Sequence, residues 1–361
     1  MKSIKTKILL VVCQLVAISL LLVGGTVTVL MYTSSMQSLN KTMSETAGVA
    51  AKLVFEYLET YKAVANETGL VARMSDPKIS LTDKRAILKD KVELYKFEAG
   101  ELYDATGKSV TGEGSIANQP YFQSAAKGTT VVSNVVLNET LNKYCVTVAA
   151  PVWKGGKSGS TVAGVVCFSL DALKLSDITN EIKVGSTGSA YLLDAENYTI
   201  AHKNPDMVTG RDNTLLAFQT DEQLASLVAL ETRMTAGEQG FGTYAYNGVN
   251  KILAFAPVPG GQGWSLAVNA ELSEFLRSTL IAMVVTVVLV VGAILAGVII
   301  SLLLANSITK PIVAVKNAAV EMAKGNFDIE LTHTSRDETG VLADSMRQMV
   351  STTKSIIMDT A

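Results

Sequence analysis

Thr279–Leu304 reads TLIAMVVTVVLVVGAILAGVIISLLL, and no charged residue falls between Arg277 and Lys310. A helix that crosses a bilayer needs about 20 apolar residues. The core helix of a soluble protein is the competing reading, but cores seldom stay uncharged over such a length. The same test succeeds upstream. No charge falls between Lys7 and Lys41, and Ile8 to Tyr32 is almost wholly apolar. A cleaved signal peptide competes there, because the start is basic. Its apolar core outruns the usual ~7–15 residues, and no small-x-small cleavage site follows. Cys13 closes no lipobox, since Val12 is too bulky for the preceding position. Two spans are therefore expected. Lys2, Lys5 and Lys7 precede the first; Lys310, Lys316 and Lys324 follow the second. The positive-inside rule then puts both termini in the cytoplasm and residues 33–277 outside. Ala293 and Gly297 add a small-xxx-small spacing suited to close helix approach.

Composition excludes several classes. Thirty-one Lys and Arg against 33 Asp and Glu give a net charge of −2, which leaves no basic footprint for nucleic acid. Cys13, Cys145 and Cys167 are too scattered for a zinc site or a disulfide framework. Cys145 and Cys167 fall on adjacent strands, where a cross-strand disulfide and two buried thiols both fit; the bridge is geometrically demanding, which favours thiols. His202 and His333 are the only histidines, and His202 reads as a loop residue after a strand. No P-loop, dinucleotide fingerprint or zinc spacing appears. We expect no catalytic residue, no metal and no cofactor.

Between the spans, the first pattern is helical. Met43, Ala47, Ala50, Val54, Tyr57, Tyr61, Ala65, Thr68 and Ala72 alternate by three and four, which predicts one long amphipathic helix over 41–76, stopped by Pro77. A shorter helix is expected over 83–95. Strand patterns follow. Residues 101–110 read as strand, turn, strand. Residues 143–152 and 162–170 form a hairpin that ends at Asp171, joined by the Gly-rich turn 155–160. A degenerate copy comes next. Residues 190–201 repeat the strand–Asp–turn–strand unit, and 251–258 repeat a strand ending in Ala-Pro-Val; a turn at 260–263 leads to the return strand 264–268. A helix over 221–234 separates the two, with Thr220 and Gln223 as its capping box and Gly237 as its stop. Two copies of one mixed unit imply two stacked modules, each with an antiparallel sheet.

This order resembles a double Cache sensor. Gly185-Ser-Thr-Gly-Ser-Ala-Tyr-Leu-Leu-Asp194 and Gln119-Pro-Tyr-Phe-Gln-Ser-Ala-Ala-Lys-Gly128 are similar to recurring phrases of that family. The resemblance covers about 41–272. It implies a ligand pocket over the sheet of the membrane-distal module. It nominates Tyr121 and Phe122 as aromatic walls, Asn138 as a polar contact and Asp171 as the carboxylate that grips a ligand amine. Each has a plainer reading as well: Tyr121 and Phe122 as core, Asp171 as a helix cap, Asn138 as a solvated loop residue. Amino-acid sensors of the family carry an arginine where this chain has Gln119. An amide cannot match the bidentate clamp of a guanidinium on a carboxylate. We therefore expect an amine, a purine-like ring or a neutral solute in preference to an α-amino acid.

Beyond the second span, Ile308, Ile312, Val315, Ala319 and Met322 recur at helical spacing, and Leu342, Met346, Met349, Thr353 and Ile356 do so again. Two short helices cannot bury such stripes alone; a homodimer does so as a parallel four-helix bundle. The segment resembles a HAMP domain. Pro311 matches that family's first-helix proline, Gly325 its connector glycine and Glu338 the acidic residue that opens its second helix. Phe327 and Ile329 or Leu331 match the connector residues that dock into the bundle.

The fold expected is an α+β membrane receptor. Residues 1–7 are a cytoplasmic N-terminus and 8–32 the first span. A double Cache sensor covers 33–277, with a distal module over about 78–184 and a proximal one over about 185–272. The second span is 279–303, HAMP is 304–357, and 358–361 begin a signalling helix that lacks a stop signal. Phrases at 346–349 and 356–359 resemble methyl-accepting chemotaxis receptors. The expected function is a chemoreceptor whose distal module binds an extracellular solute. The alternative is the input half of a sensor histidine kinase or diguanylate cyclase. The partners expected are the bilayer, a second copy and, through an output domain that is not present, the chemotaxis kinase and adaptor.

Overall fold

The computed structural model describes residues 4–260 and 262–360. Residues 1–3 and 361 of the terminal segments, and Gly261 in the turn 260–263, lie outside the described residues. The chain divides into two compact units, Ser35–Arg277 and Met1–Ser34 with Ser278–Ala361.

The unit Ser35–Arg277 begins within α1 (Ile4–Gly69), followed by α2 (Ala72–Ser75) and α3 (Leu81–Tyr95). The distal module then holds β1 (Ala99–Asp104), α4 (Pro120–Ala126), β2 (Val131–Val132), β3 (Val136–Asn138), β4 (Lys143–Trp153), β5 (Val162–Asp171) and α5 (Leu173–Glu181). Its sheet runs β1-β5-β4-β2, with β3 also on β4, and every pairing is antiparallel. The proximal module holds β6 (Ser189–Leu193), β7 (Thr199–Ala201), α6 (Pro205–Thr209), α7 (Thr214–Ala217), α8 (Ala225–Thr235), β8 (Gly240–Tyr246), β9 (Val249–Pro257) and β10 (Ser265–Glu271). Its sheet runs β7-β6-β10-β9-β8. The internal repeat is thus a repeat of topology, and its turns match bond for bond. Asp104 Oδ1 accepts from the backbone N–H of Thr106 and Lys108 at 2.8 and 3.0 Å; Asp194 Oδ1 accepts from Glu196 and Tyr198 at 3.1 and 2.8 Å.

One face of each sheet packs on α1. Met43, Ala47, Ala50, Val54 and Leu58 share a single core with Val148 and Val166 of the distal sheet and Ile252 and Leu266 of the proximal one. Burial of alternate strand residues drives this contact. The opposite faces are covered separately, the distal by α4 and the proximal by α8.

Several expectations change in detail. The helix over 41–76 ends at Gly69. A β-carbon there would meet the Pro151 carbonyl oxygen at 2.1 Å, so the backbones touch and the chain turns before α2. The helix over 83–95 starts two residues earlier, capped by Ser80 Oγ, which accepts from Asp83 N–H at 3.1 Å. The cap near 221 is Asp221, accepting from Gln223 N–H at 3.0 Å, because Thr220 Oγ1 turns back to the Ala217 carbonyl. Strand β8 was not expected at all. Cys145 and Cys167 are buried free thiols. They cannot pair: Cys145 lies opposite Asp171, and Cys167 lies opposite Ala149.

In the other unit, the N-terminal part of α1 and the apolar part of α9 (Leu272–Ala323) are both long and apolar enough to cross a membrane. They approach at small residues. A β-carbon on Gly24 would lie 2.8 Å from Val290 Cγ2, and one on Gly297 3.1 Å from Val16 Cγ1. Helix α9 passes through Pro311 unbroken and stops before Gly325, whose φ of 87° is costly for any side chain. Helix α10 (Glu338–Thr360) opens at Glu338, with Asp337 Oδ1 accepting from Thr339 and Gly340 N–H at 3.0 and 3.1 Å. Leu331 and Ile329 of the connector pack with Ala318, Met346 and Val350. Arg347 fastens that connector by donating to the Leu331 and His333 carbonyls at 2.8 and 2.9 Å.

Candidate functional site

Alternation along the strands decides what the outer face of the distal sheet presents. Glu101 and Tyr103 come from β1, Cys167 and Ser169 from β5, and Cys145, Thr147 and Ala149 from β4. Helix α4 lies across this face because Phe122 and Ala125, three apart, are buried against Tyr103, Ala149, Val165 and Cys167. Phe122 is therefore core, at 5% exposure. Tyr121, one residue earlier, is half-buried and packs at the margin of the same cluster. Its hydroxyl pairs with Thr147, and burial, then the neighbouring Cys167 and Glu101, pushes its phenol well above the usual range. Burial and the Glu101 carboxylate, which accepts the Tyr103 hydroxyl, do the same to Tyr103.

Gln119 and Tyr121 open onto a cavity of about 210 Å³. Val131, Val132 and Val136 form its apolar wall. Ser124, Ser133, Asn134 and Gln262 complete its polar lining. No charged side chain lines it among the described residues. Asn134 is held in place, since its Oδ1 accepts from Trp264 Nε1 at 3.1 Å. Ser133 Oγ accepts from Thr147 N–H at 2.8 Å, which ties the lining to the sheet.

Asn138 and Asp171 sit together at the other edge of the face. Asn138 Oδ1 accepts from Leu141 N–H at 3.0 Å and its Nδ2 reaches Ser169 Oγ at 3.5 Å. Asp171 Oδ1 accepts from Leu173 N–H at 2.9 Å at the start of α5, and Oδ2 lies 3.4 Å from Lys143 Nζ. The carboxylate nominated for a ligand amine already has a cap to fill and a cation beside it.

Residues 31–279 match the Cache domain family. The chain belongs to that family. Residues 303–354 of this Cache protein match the HAMP domain. Over 243 residues it is 28% identical to the methyl-accepting chemotaxis protein McpA of Pseudomonas putida, covering 64% of this chain and 34% of that protein. Over 315 residues it is 24% identical to the methyl-accepting chemotaxis protein McpB of Bacillus subtilis, covering 86% of this chain and 44% of that one. The chain thus spans about a third to under half of these relatives' length. Among solved structures, the ligand-binding domain of the Pseudomonas fluorescens chemoreceptor CtaA with L-isoleucine aligns at a TM-score of 0.52 and 17% identity, covering 68% of this chain and 98% of that one. That of the Campylobacter jejuni chemoreceptor Tlp3 with L-norvaline aligns at 0.52 and 14%, covering 67% and 94%.

These neighbours overturn one expectation. Gln119, in place of an arginine, leads to the expectation of an amine, a purine-like ring or a neutral solute in preference to an α-amino acid. Domains of the same fold hold amino acids, so that preference does not stand. The error was to treat one charged contact as indispensable. A carboxylate can also be held by several neutral donors, each contributing less than a charge-assisted bond. Residues that sequence reasoning missed are Ser124, Ser133, Asn134 and Gln262 in the lining, and Glu101 and Tyr103 on the face. Only the period-2 alternation in 101–103 hinted at the last two.

Proposed function

We propose that this Cache protein is a transmembrane chemoreceptor whose distal module binds a small α-amino acid of zero net charge. The observation that carries this reading is the uncharged cavity beside Tyr121. A zwitterion carries no net charge, so donors at its carboxylate and acceptors at its ammonium group can hold it in a cavity without charged side chains. Amides and hydroxyls at Gln119, Ser124, Ser133, Asn134 and Gln262 supply such partners, while Tyr121 and the three valines suit an apolar side chain. The amino acids bound in structural neighbours support this class of ligand. Asp171 and Asn138 enter only if ligand binding displaces Lys143.

The sensor lies outside the cell and both termini lie inside, a reading supported by the lysines flanking the two spans. The signal passes along α9, which runs without a break from the end of β10 into the HAMP segment. Two copies associate there as a parallel four-helix bundle. Leu342, Met349 and Ile356, one heptad apart, remain 42%, 57% and 58% exposed in the single chain, an apolar stripe that a second copy would cover. Pro311, Gly325 and Glu338 shape the bundle's helices. The output is chemotactic, as the names of the relatives suggest, and the protein is a receptor and not an enzyme.

The test is calorimetric titration of the full chain in lipid nanodiscs with L-isoleucine and other neutral amino acids. Saturable binding, weakened at least about tenfold by Tyr121→Ala, supports the reading. Failure of every neutral amino acid to bind, or equal affinity in the variant, overturns it.

A further inference from the structure

The proximal module contains a larger cavity, about 380 Å³, on the same topological face as the distal one. Strand register makes the two faces equivalent. Tyr191 on β6 lies opposite Ala267 as Glu101 on β1 lies opposite Cys167, and Lys251 lies opposite Glu271 as Cys145 lies opposite Asp171. The chemistry differs sharply from the distal site. The proximal cavity has charged walls, and its deepest charge is negative.

Glu231 on α8 is 2% exposed and lines the cavity. Its Oε1 accepts from the Tyr191 hydroxyl at 2.9 Å and its Oε2 from Asn197 Nδ2 at 3.2 Å. Asp212 lines the cavity beside it, near enough to raise the Glu231 pKa in addition to the effect of burial. No hydrogen bond to the Asp212 carboxylate is present among the described residues; burial raises its pKa, and the His202 imidazole, which also lines the cavity, works in the opposite direction. Tyr244 and Tyr246 turn their rings into the same space, and Leu227 closes it. Lys251 and Lys203 belong to this lining as well, and Lys251 Nζ already stands 5.6 Å over the Tyr246 ring. A buried carboxylate, a second one that accepts no hydrogen bond, and electron-rich ring faces are the three elements that bind an ammonium group. Tyr191, Asn197 and Thr214 hydrogen-bond to the Glu231 carboxylate and so fix its position, whereas Leu253 and Phe255 on the same face are plain apolar core.

We propose that the proximal cavity is a second ligand site, which takes a small organic ammonium ion between Glu231 and Asp212 with its hydrocarbon part against Tyr191, Tyr244 and Leu227. The site is independent of the distal one. Binding there adjoins β10, the strand that leads directly into α9, so an amine and an amino acid would reach the same helix from two modules.

The test uses the full chain in nanodiscs, carrying Tyr121→Ala to weaken the distal site. It is titrated with isobutylamine and with isovalerate, which has a branched skeleton of similar size but a carboxylate in place of the ammonium. The expected result is binding of isobutylamine only, with affinity reduced at least about tenfold by Asp212→Asn and by Glu231→Gln. The Asp212 carboxylate accepts no hydrogen bond among the described residues, so its variant decides the matter should Glu231→Gln fail to fold. Absence of amine binding at millimolar concentrations, equal or better binding of isovalerate, or unchanged affinity in Asp212→Asn overturns the proposal. None of those outcomes bears on amino-acid binding by the protein with Tyr121 intact.

Discussion

At the residue scale, single carboxylates hold the sensor's joints. Glu274, in the first turn of α9, accepts from the N–H and hydroxyl groups of Ser186 and Thr187, with Ser186 N–H at 2.6 Å and Thr187 N–H at 3.0 Å. Those donors, the Thr187 hydroxyl foremost, lower its pKa from 4.5 to about 2. A depressed carboxylate stabilises the fold fully above its unfolded value and loses that contribution as pH falls through its folded value. The stability difference between wild type and Glu274→Gln is therefore expected to be constant above pH 4.5 and to shrink towards pH 2, read by thermal denaturation across that range. A constant difference over the whole range would refute the clamp. Asp171 is the second case. Its hydrogen bond to Leu173 N–H makes it a cap for α5, so Asp171→Ala should cost about 1 kcal/mol of stability, measured by urea unfolding. A sequence cannot separate a ligand carboxylate from a capping one, because both roles ask for an acid at the end of a strand.

Elements in this molecule are set either by their own pattern or by a neighbour. The apolar stripe of α1 is local information: Met43, Ala47, Ala50, Val54, Ala65 and Thr68 are buried as the spacing predicts, and Tyr57 and Tyr61 are half-buried against the same core. Strand β8 is different. Gly240-Phe-Gly-Thr-Tyr-Ala-Tyr246 carries two glycines that weaken any strand signal. Both are required by packing: a β-carbon on Gly240 would meet the Phe255 ring at 2.6 Å, and one on Gly242 the Leu230 side chain at 2.5 Å. Gly164 on β5 shows the same constraint against backbone, since a β-carbon there would fall 2.2 Å from the Tyr103 carbonyl oxygen. Gly164→Ala is expected to separate β1 from β5 and destabilise the sensor by about 1–3 kcal/mol, visible as a lowered melting temperature. A wild-type melting temperature would show that the strands yield freely.

For the molecule as a whole, the exposed heptad stripe on α10 makes a prediction about assembly. In a Cys13→Ser background, Met349→Cys should form a disulfide-linked dimer on mild oxidation in membranes. Val350→Cys should not, because Val350 is buried in the bundle core of its own chain at 7% exposure. Equal cross-linking at both positions, or none at either, would count against the parallel arrangement. The two cavities make the companion prediction already stated, that amine and amino acid bind to different modules.

The apolar runs, the helical stripes and the doubled strand–turn pattern are properties of neighbouring residues, so the sequence alone determined the two long apolar helices, the paired sheets and the HAMP segment. The turn residues Asp104 and Asp194 even announced that the two sheets are copies. The cavities were decided elsewhere. Gln119 and Tyr121 meet Asn134 and Gln262 only because α4 and the β9–β10 turn converge there, and Glu231 meets Asp212 only because α8 crosses the face of the proximal sheet. Such meetings depend on contacts between residues far apart in the chain, which no local periodicity encodes. The apolar stretch at 279–304 therefore marked a candidate membrane helix from its residues alone, while the charge and shape of the two cavities emerged only from the folded modules.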